Sequence, residues 1–212
     1  MRALLVHGMG RSPASMMVLA RRLRRAGMTT AQFGYVPAVE GYQRIVDRLV
    51  RRLSAIATDP EYIVIGHSLG GLLLRSALAQ LDDAVPRPRH LFMLATPNRS
   101  PRLARRWHRN LAYRLFTGDA GQLLANADRV ATIPPPTIPY TIIAGTSGAQ
   151  KRWSAFADEP NDWIVGLSEV RLRNDDRVIT VPLGHTFMMN YRAVAEAVVN
   201  EVGREKGEGR SA

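Results

Sequence analysis

The most informative part of the sequence is Gly66-His67-Ser68-Leu69-Gly70-Gly71. A short apolar run, Tyr62 to Ile65, precedes it, and a helical pattern from Leu69 to Leu81 follows it. A serine with a glycine two residues before it and another two residues after it is typical of a sharp turn from strand to helix, where larger neighbours would collide. Such a turn holds the Ser68 hydroxyl clear of the sheet and directs the positive end of the helix at an oxyanion formed there. We therefore predict that Ser68 is a nucleophile.

Strands and helices alternate on both sides of this turn. The predicted strands are Ala3 to Val6, Thr30 to Tyr35, Tyr62 to Ile65, His90 to Leu94, Tyr140 to Ala144 and Val178 to Val181. The predicted helices are Ala14 to Ala26, Tyr42 to Ala57, Leu69 to Leu81 and Phe187 to Val202. Because such alternation requires right-handed crossovers, it predicts an α/β fold with a compact, mostly parallel sheet and helices on both faces.

The 212 residues suit a single domain, which we expect to span residues 1–202. Residues 97–137, here called the cap segment, interrupt the alternation because they are basic, partly helical and end in Pro134-Pro135-Pro136. They predict a helical insertion over the sheet. The glycine-rich, charged residues 203–212 predict a disordered tail.

A second glycine-containing loop, His7-Gly8-Met9-Gly10-Arg11, follows the first predicted strand. It lies at the carboxyl end of the sheet, where such folds bind ligands. A serine nucleophile needs two backbone N–H groups for the developing oxyanion, one from the residue after it and one from this loop. Leu69 and Met9 are the candidates. A dinucleotide-binding loop is disfavoured because Pro13 replaces the third glycine and no acidic residue stands near the end of the second strand.

The general base is expected among five histidines. His7 and His67 lie inside the two glycine motifs, His90 opens a strand and His108 lies in the cap segment. His185 follows the last predicted strand and precedes the last helix, where a loop residue can reach the nucleophile. We therefore predict that His185 is the base.

The acid that orients the histidine is expected between the Tyr140 to Ala144 strand and His185. Asp162 stands there and is our candidate. Asp158 and Glu159 share its loop and remain alternatives. Two further carboxylates, Asp175 and Asp176, lead into the final strand at its amino end, across the sheet from Ser68.

With these residues assembled, the chain resembles the small bacterial lipases and lipase-like esterases of the α/β-hydrolase superfamily over most of its length. The resemblance is carried by Val6-His7-Gly8-Met9-Gly10, by Gly66-His67-Ser68-Leu69-Gly70-Gly71, and by Asp162-x-Ile164-Val165 leading to Gly184-His185. It implies an α/β-hydrolase fold, a catalytic triad of Ser68, Asp162 and His185, and an oxyanion hole formed by Met9 and Leu69. The cap segment is longer and more basic than a minimal lipase needs.

The implied activity is cleavage of a small-molecule or lipid carboxylic ester through an acyl-enzyme at Ser68, with no metal or organic cofactor. A thioesterase or amidase with the same triad stays open, because thioesters and amides pass through the same tetrahedral intermediate. A non-catalytic binding protein that retains the fold is a further alternative. It is disfavoured because no member of the triad is missing from the sequence.

Composition narrows the remaining choices. Hydrophobic residues at 46% and charged residues at 22% are typical of a globular chain. The absence of cysteine excludes disulfides, thiolate metal sites and a cysteine nucleophile. The apolar run Ala3 to Val6 is too short for a signal peptide or a membrane span, so a cytoplasmic location is expected.

The net charge of +11 would attract polyanions. Because the arginines are scattered over several helices, we predict no nucleic-acid partner. From Ala84 to Gly118 the chain has no acidic residue, and the arginines there are Arg87, Arg89, Arg99, Arg102, Arg105, Arg106, Arg109 and Arg114. Apolar residues recur at helical spacing in the same segment, namely Leu103, Trp107, Leu111 and Leu115. Either this stripe packs on the domain below solvated arginines, or the cap segment is a lid that makes weak contact with an anionic lipid surface.

Overall fold

The computed structural model describes residues 1–57, 61–152 and 154–208. Six strands form one sheet in the order β2-β1-β3-β4-β5-β6, and every neighbouring pair is parallel. The strands are β1 (Arg2–Val6), β2 (Thr29–Phe33), β3 (Tyr62–His67), β4 (Leu91–Leu94), β5 (Tyr140–Gly145) and β6 (Val178–Val181). The predicted parallel sheet is thus confirmed.

Helices cover both faces of the sheet. The helices are α1 (Met17–Arg25), α2 (Tyr42–Ile56), α3 (Leu69–Ala79), α4 (Arg102–Trp107), α5 (Leu111–Ala125), α6 (Ala127–Ala131), α7 (Leu167–Val170) and α8 (Arg192–Glu208). Short 3-10 helices at Pro13–Met16 and His185–Asn190 precede α1 and α8. Leu4 and Val6 of β1 pack with α2 and α3, whereas Ala3 and Leu5 pack with α1 and α8. The two faces alternate along β1 because successive strand side chains point to opposite sides.

The final helix differs from the sequence prediction at both ends. A 3-10 helix occupies residues 185–190, and α8 begins only at Arg192. At the other end α8 continues to Glu208, through the first six residues of the segment 203–212 for which we expected disorder. The rest of that segment, residues 209–212, lies outside the described residues.

The cap segment contains α4, α5 and α6 between β4 and β5. Helix α5 is kinked at Gly118, where φ is 56° and ψ is −149°. A Cβ atom on Gly118 would lie 2.1 Å from the carbonyl oxygen of Pro37. Only glycine therefore fits where α5 crosses the loop after β2.

Most of the apolar stripe of the cap segment (Leu103, Trp107, Leu111 and Leu115) is exposed instead of packing on the domain. It is divided between two helices, because α4 ends at Trp107 and α5 begins at Leu111. Leu111 and Leu115 are 68% and 69% exposed, and Trp107 is also exposed. The interpretation of the stripe as a packed face is therefore wrong for these three residues. Among the described residues, no helix has the length and apolar character needed to cross a membrane.

Candidate active site

Ser68 lies in a strained turn between β3 and α3. Its backbone has φ 52° and ψ −123°, a conformation that non-glycine residues rarely adopt. The Ser68 N–H donates to the carbonyl oxygen of Leu94 at 2.8 Å, which fixes the turn to the end of β4. A Cβ atom on Gly66 would lie 2.4 Å from the Gly71 nitrogen, and one on Gly70 would lie 2.4 Å from the Val6 carbonyl oxygen. Both glycines are thus required by close backbone contacts.

The contact between Gly70 and β1 yields a stability prediction. We expect Gly70→Ala to lower the free energy of unfolding by on the order of 1–3 kcal/mol, because the added methyl group overpacks against the β1 backbone. Gly203→Ala is the matched control, since no atom lies within 4 Å of its added Cβ. It should be neutral or stabilising by about 1 kcal/mol at most. Urea denaturation measures both, and equal stabilities of the two variants would contradict the packing argument.

His185 bridges Ser68 and Asp162. The Nε2 atom of His185 lies 2.9 Å from Ser68 Oγ, and its Nδ1 atom lies 2.6 Å from Asp162 Oδ2. In the tautomer that fits these partners, Nδ1–H donates to the carboxylate and Nε2 accepts the Ser68 hydroxyl proton. The imidazole is nearly buried, whereas Ser68 remains partly exposed. The structure therefore brings the three predicted residues into one hydrogen-bonded chain.

The Asp162 carboxylate is fully buried and every oxygen has a partner. Its Oδ1 atom accepts hydrogen bonds from the backbone N–H groups of Ile164 and Val165, at 3.0 and 2.7 Å. Its Oδ2 atom faces His185, and the His185 N–H donates to the Asp162 carbonyl oxygen at 3.0 Å. The backbone bonds fix the orientation of the carboxylate, so that one oxygen is directed at the imidazole.

The rival carboxylates in the same loop are engaged elsewhere or exposed. Asp158 is exposed to solvent. Glu159 accepts hydrogen bonds from Arg102 and from the Ser168 N–H. Burial alone would raise the pKa of Glu159, but the bonds from Ser168 and Arg102 outweigh it and lower that pKa. The structure thus gives Glu159 a role in tying α4 to α7.

The two carboxylates before β6, Asp175 and Asp176, lie at the opposite end of the sheet from Ser68. Asp176 accepts hydrogen bonds from the Tyr140 hydroxyl at 2.6 Å and from the Leu172 N–H at 2.7 Å. Tyr140 is the first residue of β5, so Asp176 lies at the amino end of the sheet. Asp175 is exposed. Both residues therefore lie at the amino end of the sheet, as predicted from their place before β6.

The loop after β1 passes next to Ser68. A Cβ atom on Gly8 would lie 3.1 Å from the Ser68 Cβ, and Gly10 has a positive φ of 65°. Met9 lines the same cavity as Ser68. Leu69 is the first residue of α3, and the first N–H groups of a helix have no carbonyl partner within it. Of the two residues predicted for the oxyanion hole, Met9 thus lines the cavity with Ser68 and Leu69 directly follows Ser68.

The chain was compared with protein families, with curated sequences and with solved structures. No family model and no curated protein sequence matches the chain. Among solved structures, a protein from Xanthomonas campestris classed as a hydrolase of the alpha/beta superfamily matches with a TM-score of 0.63 and 16% identity, over 96% of this chain and 98% of that one. The chain has the α/β-hydrolase fold. This confirms the fold class that the sequence resemblance implied.

Two other proteins with the α/β-hydrolase fold show the range of relatives. A lipase from Bacillus licheniformis, in its propeptide form, matches with a TM-score of 0.69 and 19% identity, over 93% of this chain and 50% of that one. A thioesterase of prodiginine biosynthesis from Streptomyces coelicolor matches with a TM-score of 0.61 and 19% identity, over 96% of this chain and 85% of that one. The chain thus spans half the length of the lipase. A specific bacterial lipase family is not identified by these matches.

His67 has a supporting position in this α/β-hydrolase fold that the sequence argument missed. Its Nε2–H donates to the His185 carbonyl oxygen at 2.9 Å. Burial lowers the pKa of His67 well below its usual value, and the neighbouring His185 lowers it further, so the ring is neutral. His67 therefore positions the backbone of His185. Its position next to Ser68 in the sequence could have indicated this role, but His67 was set aside because it lies inside the glycine motif.

The other three histidines lie away from Ser68 Oγ. His7 stacks on Tyr35 with ring centroids 4.3 Å apart, and the Tyr35 hydroxyl donates to the His7 carbonyl oxygen. His90 pairs with Thr141 Oγ1 at 2.9 Å. His108 contacts the Arg105 carbonyl oxygen in the cap segment. Each has a structural partner that does not involve Ser68.

A cavity of about 400 Å³ opens beside Ser68 and His185. The cap segment supplies much of its wall, through Leu103, Trp107 and Phe116. Ile164 and Val165 line another part, directly after Asp162. Because these side chains are apolar, the cavity favours an apolar group next to the nucleophile.

Proposed function

We propose that this protein is a serine hydrolase that cleaves carboxylic esters. The observation that carries the proposal is the chain of hydrogen bonds from Ser68 Oγ to His185 Nε2 at 2.9 Å and from His185 Nδ1 to Asp162 Oδ2 at 2.6 Å. Nucleophile, base and orienting acid in this arrangement are the recurring solution for acyl transfer. The strained backbone of Ser68 supports the same role.

In the proposed reaction, Ser68 Oγ attacks the acyl carbon while His185 Nε2 takes the hydroxyl proton. The N–H groups of Met9 and Leu69 stabilise the oxyanion of the tetrahedral intermediate. His185 returns the proton to the departing alcohol, which leaves an acyl group on Ser68. A water molecule then attacks this ester with His185 again as base, and the carboxylic acid is released.

The apolar cavity supports an acyl chain as the group held next to Ser68. Proteins with a similar fold include a lipase and a thioesterase. Their names indicate that one cleaves esters and the other thioesters. A thioesterase with the same three residues is therefore the second candidate. It would use the same acyl-enzyme and release a thiol.

A panel of p-nitrophenyl esters of rising chain length, with acyl thioesters in parallel, tests the proposal. We expect turnover of the esters, with a preference for chains that the cavity of about 400 Å³ accommodates. Turnover of thioesters alone would favour the second candidate. Binding of substrate with no turnover of either class would contradict the proposal and favour a non-catalytic binding protein.

We also propose that the substrate is reached at an anionic lipid surface. Trp107 and Phe116 of the cap segment line the active-site cavity and are exposed, and Phe187 is exposed beside His185. Arg106, Arg109 and Arg114 are exposed in the same segment, and none has an ion pair within the described residues. Apolar side chains flanked by uncompensated arginines are the pattern that binds anionic interfaces.

Replacing Arg106, Arg109 and Arg114 with glutamine should weaken binding to vesicles rich in anionic lipid. Each arginine near such a surface contributes about 1 kcal/mol, so the loss should be up to about 100-fold. The control replaces Arg21, Arg51 and Arg52, which are exposed on α1 and α2, and removes the same net charge. Vesicle cosedimentation at several salt concentrations makes the measurement. Equal affinities of the two variants for the vesicles would show that the cap-segment arginines have no specific role in lipid binding.

A further inference from the structure

A second cavity, of about 450 Å³, lies on the other side of the cap segment. Helix α4 contributes to both cavities, because Arg105 lines the second one whereas Leu103 and Trp107 line the active-site cavity. None of the described residues that line the second cavity also lines the first. The second cavity is therefore a separate site.

The floor of this cavity includes a buried arginine. Arg75 of α3 is 3% exposed, and its guanidinium donates to Asn98 Oδ1 at 2.9 Å and to the carbonyl oxygens of Ile133 and Pro134 at 2.5 and 3.2 Å. All three acceptors are neutral. Within the described residues no carboxylate forms an ion pair with Arg75. A buried charge whose acceptors are all neutral is costly, and an anion in the cavity would lower that cost.

The Arg75 side chain remains charged in this position. Burial lowers its pKa to about 10, which is still well above neutral pH. Its hydrogen bonds tie the end of the cap segment to α3, and that structural role accounts for its acceptors. It does not account for the other cations around the same cavity.

Three more arginines line the cavity, namely Arg99, Arg105 and Arg173. Arg99 donates to the neutral Asn174 Oδ1 at 3.0 Å, and Arg105 has no ion pair in the described part of the chain. Arg173 is partly compensated by Asp176, whose pKa it helps to lower. Among the described residues that line the cavity, none is acidic. Four arginines and no carboxylate thus stand among the described lining residues.

We propose that this cavity, here called the arginine cleft, binds a phosphate group of an anionic ligand at a site separate from Ser68. A guanidinium presents paired N–H donors that match the oxygens of a phosphate, and Arg75 supplies the buried charge that a surface cluster lacks. Occupancy would hold α4 in place through Arg105. Because α4 also carries Leu103 and Trp107, the ligand would set the shape of the active-site wall. Phosphate binding at the arginine cleft does not itself depend on the hydrolase activity.

Calorimetric titration of the full chain with inorganic pyrophosphate tests the arginine cleft. The cleft variant replaces Arg99, Arg105 and Arg173 with glutamine, which spares the buried Arg75 and its structural contacts. The control variant carries glutamine at Arg21, Arg51 and Arg52 and has the same net charge. We expect the wild type and the control to bind, and the cleft variant to bind at least about tenfold more weakly, since charge-assisted hydrogen bonds are lost.

Vesicles containing phosphatidic acid form the second arm and identify the source of the phosphate. Weakened vesicle binding by the cleft variant, with no pyrophosphate binding by the wild type, would assign the cleft to a lipid headgroup. Pyrophosphate binding that depends on the three arginines would assign it to a soluble ligand. If the cleft and control variants behave alike toward both probes, the arginines are ordinary solvated charges and the proposal is overturned.

Discussion

Replacing Ser68 with alanine is expected to abolish ester hydrolysis, and replacing His185 with alanine to lower kcat by on the order of 10⁴-fold or more. The reason is that the two residues act as one unit. Ser68 Oγ lies 2.9 Å from His185 Nε2, so without the imidazole the hydroxyl keeps its proton and is a weak nucleophile. Steady-state kinetics on a short soluble ester measures both losses.

Ser54→Ala and His108→Ala are the matched controls, because Ser54 lies on α2 and His108 in the cap segment, and the side chain of each contacts a nearby backbone carbonyl of its own segment. Both controls should retain wild-type kcat, and circular dichroism should show that all four variants are folded. A mild loss in His185→Ala would point to another base. Full activity in Ser68→Ala would remove the proposed nucleophile.

Replacing Asp162 with asparagine should lower kcat by about 10⁴-fold while the protein stays folded. The structure gives the reason in detail. Oδ1 accepts two backbone hydrogen bonds, so an asparagine must place its carbonyl oxygen there and its NH2 group toward His185. The NH2 group donates to Nδ1, which moves the ring proton to Nε2. In that tautomer Nε2 cannot accept the Ser68 proton.

Asp158→Asn and Glu159→Gln test the alternatives in the same loop. Asp158 is exposed and Glu159 is held by Arg102 and Ser168, so both variants should keep kcat near the wild-type value. Glu159→Gln should affect stability more than Asp158→Asn, because it removes an ion pair with Arg102. If either variant were inactive while Asp162→Asn remained active, Asp162 would not be the acid.

Much of the fold and the meeting of the three candidate residues follow from the sequence for a simple reason. Parallel strands that are buried on both faces consist of short apolar runs, such as Tyr62 to Ile65. The carboxyl ends of these strands lie at the same edge of the sheet. Ser68 directly follows the run of β3, Asp162 lies in the loop after β5, and His185 follows β6. Their chain order then leaves few other ways to bring a serine, an acid and a base together.

Features set by tertiary contact could not be predicted. The kink at Gly118 exists because α5 meets the Pro37 carbonyl, a neighbour 81 residues away in the chain (118 − 37). Helical spacing identified an apolar stripe in the cap segment, but it does not say what the stripe contacts, and Leu111 and Leu115 are exposed. Nothing in the sequence distinguishes Arg75 from the exposed arginines, although it is buried and donates to a carbonyl oxygen of the cap segment. For Gly118 and Arg75 the deciding partner is remote in sequence.

Labelling with a fluorophosphonate probe, followed by peptide mapping in a mass spectrometer, examines the nucleophile itself without assuming a substrate. Such a probe reacts with a serine whose hydroxyl is activated by a neighbouring base. We predict a single adduct on Ser68 in the wild type, none in Ser68→Ala, and greatly slowed labelling in His185→Ala. Labelling that survives Ser68→Ala, or an adduct that maps to another residue, would contradict the assignment of Ser68.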